Sequence, residues 1–301
     1  MRVLVTGADG FVGRHLCQFL QENGDTVTPL TGVDVRDGKA LTDAVRRARP
    51  DAVAHLAAVS SVADSLRDPV ATFEVNALGS VNLCQAGREL APRPRMLLIS
   101  SGEVYGPIPA DRPATEQTPV APTSPYGASK VAAETMGLQF ARSYGMSVVV
   151  ARPFTHLGAG QAVTFAMPSF AQQLAEARRL PGRATLRVGN LEAVRDFSNV
   201  RDVVTAYRLL LDRGESGEVY NVSSGRGRSI RSVLDELIGL AGADVGVEVD
   251  PARMRPADIP NMVGDPTKLR ALGWMPRHTV RDALIDLLAE RSAHASGVVE
   301  A

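Results

Sequence analysis

Apolar and polar positions follow two different periods along the first half of the chain. Short apolar runs of strand length occur at 2–6, 26–30, 33–35, 52–56, 95–100 and 146–151. Segments with the 3.6-residue period of amphipathic helices occur at 11–23, 39–49, 69–91 and 125–143. Strands and helices that alternate at these lengths predict a parallel sheet with helices on both faces, which is a doubly wound α/β fold.

A glycine-rich turn joins the first predicted strand to the first predicted helix. It reads Thr6-Gly-Ala-Asp-Gly-Phe-Val-Gly13, with glycines at 7, 10 and 13. Glycine allows tight turns and close approach of a ligand, and a helix N-terminus attracts a diphosphate. After a first strand and before a first helix, this spacing predicts a dinucleotide site. The alternative is a plain tight turn.

The regular alternation weakens from Phe154 onward. Residues 162–190 and 223–262 do not fit a strand–helix repeat, whereas 199–222 contain a predicted helix followed by a strand. We therefore predict a dinucleotide-binding Rossmann domain and a smaller C-terminal lobe, with the flexible segment 158–161 between them. The Rossmann domain comprises 1–161 and 191–222, and the substrate-binding lobe comprises 162–190 and 223–301.

Tyr126 and Lys130 lie four residues apart in a predicted helix that begins at Pro125. Residues with this spacing share one helix face, so an ammonium group can lie near a phenol. A nearby positive charge lowers the pKa of a tyrosine, and such a tyrosine can act as a general acid or base on a substrate oxygen. The alternative is a surface pair that shares a helix face by chance.

Composition and charge narrow the classes of function. Lysine plus arginine and aspartate plus glutamate number 33 each, so no global field favours nucleic acid or an anionic membrane. Cys17 and Cys84 fall in predicted helices and are typical of buried thiols in a reducing compartment. Residues 1–5 are strand-like, and no apolar run has the length of a membrane span. We expect no signal peptide, no membrane association, no metal site and a cytoplasmic location.

Several motifs together resemble the extended short-chain dehydrogenase/reductase family. They are Gly7-x-x-Gly10-x-x-Gly13, Ser101 ahead of Val104-Tyr105-Gly106, and Tyr126-x-x-x-Lys130. Arg152-Pro153-Phe154 and Arg195-Asp196-Phe197 resemble its sugar-nucleotide-modifying branch. Within that branch, residues 100–106, 151–161 and 250–256 are most similar to the GDP-4-keto-6-deoxy-D-mannose reductases. The resemblance extends over nearly the whole chain.

The resemblance implies a catalytic group made of Ser101, Tyr126 and Lys130, with Glu103 as a further candidate. Ser101 would bond the substrate carbonyl, Tyr126 would give it a proton, and Lys130 would hold the nicotinamide ribose. Related dehydratases use an acid–glutamate pair where this sequence has Gly102 and Glu103. Because Gly102 has no side chain, the role of the acid is unfilled, and dehydration is disfavoured.

The resemblance also implies a nicotinamide dinucleotide cofactor. Its expected contacts are Gly7, Gly10, Phe11, Val12, Asp34, Val35, Leu56, Ala57, Ala58, Tyr126, Lys130 and Pro153. The second strand ends without the carboxylate that usually bonds the ribose of NAD, which favours NADPH, with NADH as the alternative. Arg14 or Arg36 would lie near the 2′-phosphate, unless each is an ordinary surface charge. Asp34 is equally compatible with a solvated turn.

The substrate implied by the resemblance is a nucleotide sugar. Its expected contacts are Ser101, Gly102, Glu103, Thr155, Arg195 and Arg255. Arginine suits diphosphate recognition because its planar fork bonds two phosphate oxygens. Thr155 replaces an asparagine that is usual in relatives, which bears on the choice of substrate. The expected reaction is reduction of the C4 ketone of a nucleotide-linked 4-keto-6-deoxyhexose, most specifically GDP-4-keto-6-deoxy-D-mannose to GDP-D-rhamnose.

Two other functions and an oligomeric state follow from the same resemblance. A sugar-nucleotide 4-epimerase, or a 4,6-dehydratase, would use the same residues with tightly bound NAD. A non-catalytic dinucleotide-sensing protein is the alternative from another class. The helices predicted at 69–91 and 125–143 have small or apolar faces, and the family pairs such helices in a homodimer through a four-helix bundle. The alternative interpretation is that these helix faces pack against the sheet of the same chain.

Overall fold

The computed structural model describes residues 1–179, 182–254 and 259–295. The strands are β1 (Arg2–Thr6), β2 (Thr26–Leu30), β3 (Ala52–His55), β4 (Arg95–Ile99), β5 (Val148–Pro153), β6 (Thr155–Leu157), β7 (Ala184–Val188), β8 (Val194–Asn199), β9 (Val219–Val222), β10 (Gly227–Ser229), β11 (Val245–Val249) and β12 (Asn261–Met262). The helices are α1 (Phe11–Glu22), α2 (Gly38–Ala48), α3 (Val62–Arg67), α4 (Pro69–Phe73), α5 (Gly79–Arg88), α6 (Pro125–Tyr144), α7 (Ala166–Ala177), α8 (Val200–Arg213), α9 (Ile230–Ala241), α10 (Thr267–Ala271) and α11 (Val280–Ala295).

The central sheet confirms the predicted doubly wound fold. Its strands lie in the order β2-β1-β3-β4-β5-β9, and every neighbouring pair is parallel. Apolar side chains of α1 and α8 form a core on one face, and those of α2, α5 and α6 form a core on the other. β3 and β5 are buried along their whole length, as uniformly apolar runs predict for a parallel sheet covered on both faces.

The prediction of a strand at 33–35 is wrong. The chain turns there instead, because the Asp34 carboxylate accepts the backbone N–H of Arg36. Buried Val35 lies against Gly79, where a Cβ would come within 2.6 Å of the valine side chain. Asn82 donates to the carbonyls of Val35 and Arg36 and so fixes the turn.

The helix predicted at 69–91 is present in interrupted form. α4 and α5 flank a π-helical turn at Glu74–Leu78, and the last helical residue is Arg88. A short helix that the pattern did not predict, α3, precedes them. π-helical turns commonly lie at functional sites, and this one faces α6.

A third hydrophobic core lies outside the central sheet. It is formed by side chains of α7, α9 and α11 with β7 and β8. β8 pairs with β6, β10 and β12, and β7 pairs with β11. The segment 158–161, predicted to be flexible, is anchored: Gly160 N donates to Glu290, and the Ala159 carbonyl bonds His15. It therefore joins α1 to α11.

Candidate active site

Most of the predicted cofactor residues lie at the carboxyl ends of β1, β3 and β5 of the central sheet. They are Gly7, Gly10, Phe11 and Val12 after β1, Leu56, Ala57 and Ala58 after β3, and Pro153 at the end of β5. β1 has β2 on one side and β3 on the other, so the strand order reverses at this point. Open α/β sheets bind ligands at such a switch point.

The turn between β1 and α1 is packed so closely that only glycine fits at two positions. Gly7 has a φ of 64°, and a Cβ on it would lie 2.8 Å from the Ala57 nitrogen. A Cβ on Gly13 would lie 2.0 Å from the Gly7 oxygen. Gly10, the N-cap of α1, places no side chain over the first amides of the helix. These residues fit a dinucleotide diphosphate, which bonds such amides.

The residues predicted near the adenosine are already paired with one another. Arg36 bonds Asp34 through two guanidinium nitrogens, the shorter contact being 2.7 Å, and lies 3.6 Å from Glu74. The hydrogen bonds from Arg36 lower the pKa of Asp34 to about 2. Arg14 lies elsewhere and donates to the Gly160 carbonyl at 3.1 Å. Of the two predicted arginines, Arg36 is therefore the one beside Asp34.

Ser101, Tyr126 and Lys130 come together below the ends of β4 and β5. Tyr126 is in the first turn of α6, and Lys130 follows one turn later on the same face; both are buried. Lys130 Nζ donates to the Ile99 carbonyl at 2.8 Å and lies 6.0 Å from the centre of the Tyr126 ring. Ser101 Oγ accepts the Glu103 N–H at 3.1 Å, and the Ser101 side chain also hydrogen-bonds Tyr126.

The protonation of Tyr126 differs from the prediction. Burial, with a smaller contribution from the Glu103 charge, raises the pKa of Tyr126 to about 12, although the hydrogen bond with the Ser101 side chain lowers it in part. The predicted lowering by Lys130 is wrong: desolvation sets the direction, and the Lys130 nitrogen bonds the Ile99 carbonyl and lies 6.0 Å from the centre of the ring. Burial lowers the pKa of Lys130 to about 8. At neutral pH the pair therefore consists of a phenol and an ammonium.

The ring of Phe154 packs tightly against Gly102. A Cβ on Gly102 would lie 3.1 Å from two carbons of that ring, and a Cβ on Gly264 would lie 2.4 Å from it. Phe154 is buried and stacks on Tyr105 with 6.2 Å between ring centres. A side chain at position 102 would therefore require this ring to shift by a few tenths of an ångström.

Two of the predicted substrate residues, Thr155 and Arg195, lie on strands outside the central sheet. Thr155 begins β6 and is half-buried, and it pairs with Phe197 of β8. Arg195, also on β8, is buried and donates to the carbonyls of Val194 and Ile259. Arg255 lies outside the described residues.

The geometry of the site can be compared with known proteins. A family model described as GDP-mannose 4,6 dehydratase matches residues 27–287. The chain belongs to this family. It is 39% identical to the GDP-6-deoxy-D-mannose reductase of Pseudomonas aeruginosa over 295 residues, which cover 96% of each chain. The predicted resemblance to the extended short-chain dehydrogenases/reductases is confirmed.

Solved structures of family relatives have the same fold. The structure of RMD from Pseudomonas aeruginosa, complexed with NADPH, superposes with a TM-score of 0.89 at 36% identity and covers 98% of this chain and 100% of that chain. The UDP-glucose 4-epimerase of Thermus thermophilus, complexed with NAD, gives a TM-score of 0.88 at 34% identity, with 99% and 100% covered.

A buried polar network connects the cofactor turn with α6, and no family motif marks it. Thr6 Oγ1 lies 2.7 Å from His55 Nδ1, and His55 Nε2 lies 3.1 Å from Ser80 Oγ, which donates to the Asn76 carbonyl. The Asn76 side chain donates to Ser129 Oγ, which in turn donates to the Tyr126 carbonyl. Its members are far apart in sequence, so only the polar residues in otherwise apolar helix faces could have pointed to it.

The remaining predictions concern metals and membranes. Among the described residues, no group of histidine, cysteine, aspartate and glutamate could hold a metal ion. No helix in the described ranges is long and apolar enough to cross a membrane. The cytoplasmic location stays a prediction.

Proposed function

We propose that this protein is an NADPH-dependent reductase of the C4 ketone of a nucleotide-linked 4-keto-6-deoxyhexose, converting GDP-4-keto-6-deoxy-D-mannose to GDP-D-rhamnose. The observation that carries the proposal is the buried, protonated Tyr126 beside Ser101 and Lys130, with no acidic side chain at position 102, where the Phe154 ring packs closely. The reductase from Pseudomonas aeruginosa, 39% identical to this chain, supports the substrate class. NADPH is the proposed cofactor and NADH the alternative.

The chain supplies the proton and the positioning for this reaction. When bound, the reduced nicotinamide supplies the hydride to C4. Ser101 Oγ donates a hydrogen bond to the ketone oxygen, and Tyr126 transfers its phenolic proton to the same oxygen as charge develops. The Lys130 ammonium then stabilises the phenolate that remains. Glu103 lies close enough to act on the Tyr126 pKa and lines this site.

Dehydration is less favoured because position 102 carries no acidic side chain. It requires an acid to protonate the leaving hydroxyl and a base to remove a proton, and Glu103 could supply only the base. An aspartate at position 102 would need the Phe154 ring to shift by a few tenths of an ångström. The alternative activity is that of a 4-epimerase that retains NAD, and NAD that co-purifies with the protein would favour it.

The remaining assignments belong to the same proposal. The segments 1–161 and 191–222 would hold the cofactor through the contacts predicted above, with Asp34 and Val35 at the adenosine. The segments 162–190 and 223–301 would hold the nucleotide sugar, with Arg255 near the diphosphate. From the cofactor-binding segments, Thr155 would lie near the hexose and Arg195 near the diphosphate.

The direct test is oxidation of NADPH and NADH, followed by nicotinamide absorbance. GDP- and dTDP-4-keto-6-deoxyhexoses would be made in situ by their dehydratases, and the products would be identified. We expect turnover with the GDP sugar. Tyr126→Phe should lower turnover by about 100-fold or more while NADPH still binds, because only the donated proton is lost. Tyr144→Phe, at the exposed end of the same helix, is the control.

Two results would contradict the proposal. Equal turnover in Tyr126→Phe and Tyr144→Phe would remove the proton-donor assignment. Absence of oxidation with either sugar, together with NAD retained through purification, would replace the reductase by the epimerase. Turnover with the dTDP sugar alone would keep the chemistry and change the nucleotide.

A homodimer is the proposed assembly. Apolar side chains are exposed along one side of the helices before and including α6: Leu66, Val70, Phe73, Leu78 and Met136. We expect a second copy of the chain to cover them in a four-helix bundle. Phe73→Glu should halve the mass measured by sedimentation, whereas Met275→Glu, on an exposed residue elsewhere, should not. Equal masses for both variants and the wild type would contradict this interface.

A further inference from the structure

The face of α6 that carries Tyr126 and Lys130 continues for one more turn to Glu134. The spacing of four residues places Glu134 directly below Lys130 on that face. All three side chains are buried, and Glu134 is only 4% exposed. The i, i+4 rule that selects Lys130 from the sequence therefore also selects Glu134, although the family motif stops at the lysine.

Glu134 is held in place by a fully buried ion pair. Arg152 Nε and Nη2 donate to its two carboxylate oxygens at 2.8 and 2.7 Å. Arg152 Nη1 donates to the Tyr105 hydroxyl at 2.9 Å, and that hydroxyl donates to Asn221 Oδ1 at 2.7 Å. The carboxylate is thus fixed in one orientation by a two-point contact from β5.

A buried ion pair contributes little net stability, because desolvation of both charges offsets their attraction. The feature that distinguishes the Glu134–Arg152 ion pair is therefore its location beside Lys130. We propose that Glu134 is a positioning residue that keeps Lys130 protonated at the pH of catalysis, and that Arg152 fixes Glu134 for this task. The inference rests on the role proposed above for Lys130.

The charged surroundings of Lys130 agree with this assignment. Burial lowers the pKa of Lys130, and Glu134 is the charge that raises it again. The other ionisable groups around this pair are Tyr126 on α6, neutral His55 on β3, and Arg152 on β5, which bonds Glu134 and Tyr105. Glu103 acts on Tyr126. The acids and bases of α3 and of 69–88 are at the surface or at the far end of α6: Asp64, Arg67, Glu74 and Arg88.

The test is a direct titration of Lys130 in the enzyme without cofactor. The sequence contains three lysines, Lys39, Lys130 and Lys268, so protein labelled with ¹³Cε-lysine gives three resolvable signals. Lys39→Arg and Lys268→Arg assign the other two. We expect Lys130 to titrate near 8 in the wild type. In Glu134→Gln, which keeps the shape and removes the charge, its pKa should fall by about one unit.

Tyr105→Phe is the matched control, since it breaks the same network without changing any charge. A structural role for the network predicts equal effects of both variants on the Lys130 signal, whereas the proposal predicts a shift in Glu134→Gln alone. If Glu134→Gln does not fold, the double variant Glu134→Gln/Arg152→Met removes both charges together and should show a smaller fall in the same direction, because loss of the Arg152 cation, which is further from Lys130 along the ion pair, offsets part of the effect.

The second readout is the alkaline limb of the pH–rate profile for NADPH oxidation. This limb should move to lower pH in Glu134→Gln by the same amount as the Lys130 signal, and stay in place in Tyr105→Phe. An unchanged Lys130 titration in Glu134→Gln, or an equal change in Tyr105→Phe, overturns the inference. Because the titration needs no turnover, an inactive wild type would count against the proposed function alone.

Discussion

Burial of a neutral His55 should make the protein sensitive to acid. Thr6 Oγ1 accepts the N–H groups of Leu56 and Ala57, so its own proton goes to His55 Nδ1. The ring proton is therefore on Nε2, where it is donated to Ser80. Burial, together with the charge of Lys130, lowers the pKa of His55 to about 3. No second proton can enter without breaking this network.

The size of this loss of stability follows from the linkage between protonation of His55 and folding. An unfolded histidine has a pKa of about 6.5, so as the pH falls the unfolded chain takes up a proton before the folded one does. The stability that neutral His55 contributes is complete above pH 6.5 and is lost progressively as the pH falls towards 3. The slope is ~1.36 kcal/mol per pH unit, which gives about 2 kcal/mol by pH 5 and roughly 5 kcal/mol by pH 3.

The assay is urea unfolding at about pH 7.5 and about pH 5, followed by the fluorescence of the single tryptophan, Trp274. His55→Gln removes the titrating ring, so its unfolding free energy should fall less between these pH values, by about 2 kcal/mol. Groups common to both proteins cancel in the difference. Ser80→Ala lowers stability at both pH values and keeps the steep dependence. If His55→Gln is as acid-sensitive as the wild type, the assignment of a neutral His55 is wrong.

Two further predictions concern the cofactor site. Gly13→Ala would place a methyl group 2.0 Å from the Gly7 oxygen and should abolish NADPH binding, measured by fluorescence. Gly239→Ala, whose new Cβ has nothing within 4 Å, should bind NADPH normally. Native affinity in Gly13→Ala would contradict the tight packing of the turn. Asp34→Asn releases Arg36 from its carboxylate and should raise the affinity for NADPH relative to NADH, measured by titration of each; an unchanged ratio would remove Arg36 from the 2′-phosphate site.

Local sequence patterns were sufficient for the sheet and for the reacting pair. Apolar runs predict the strands because a parallel strand covered on both faces has no polar side, and the four-residue spacing predicts that Tyr126 and Lys130 share a face. The π-helical turn and the turn at Asp34 depend on contacts with distant segments, such as Val35 against Gly79. The pKa of Tyr126 also escaped prediction, because desolvation is set by the whole fold around it.

The protonation states also indicate which form of Tyr126 the proposed reaction starts from. With a pKa of about 12, forming the Tyr126 phenolate at pH 7 would cost roughly 7 kcal/mol, so in the free enzyme the phenol is the resting form. The proposed ketone reduction begins with this phenol as the proton donor, and the same residue would take the proton back in the reverse direction. Gly102 provides no second acid, and the Phe154 ring lies 3.1 Å from the position that a Cβ on Gly102 would take. The proposed reduction needs no second acid, because the one proton that it consumes can come from Tyr126.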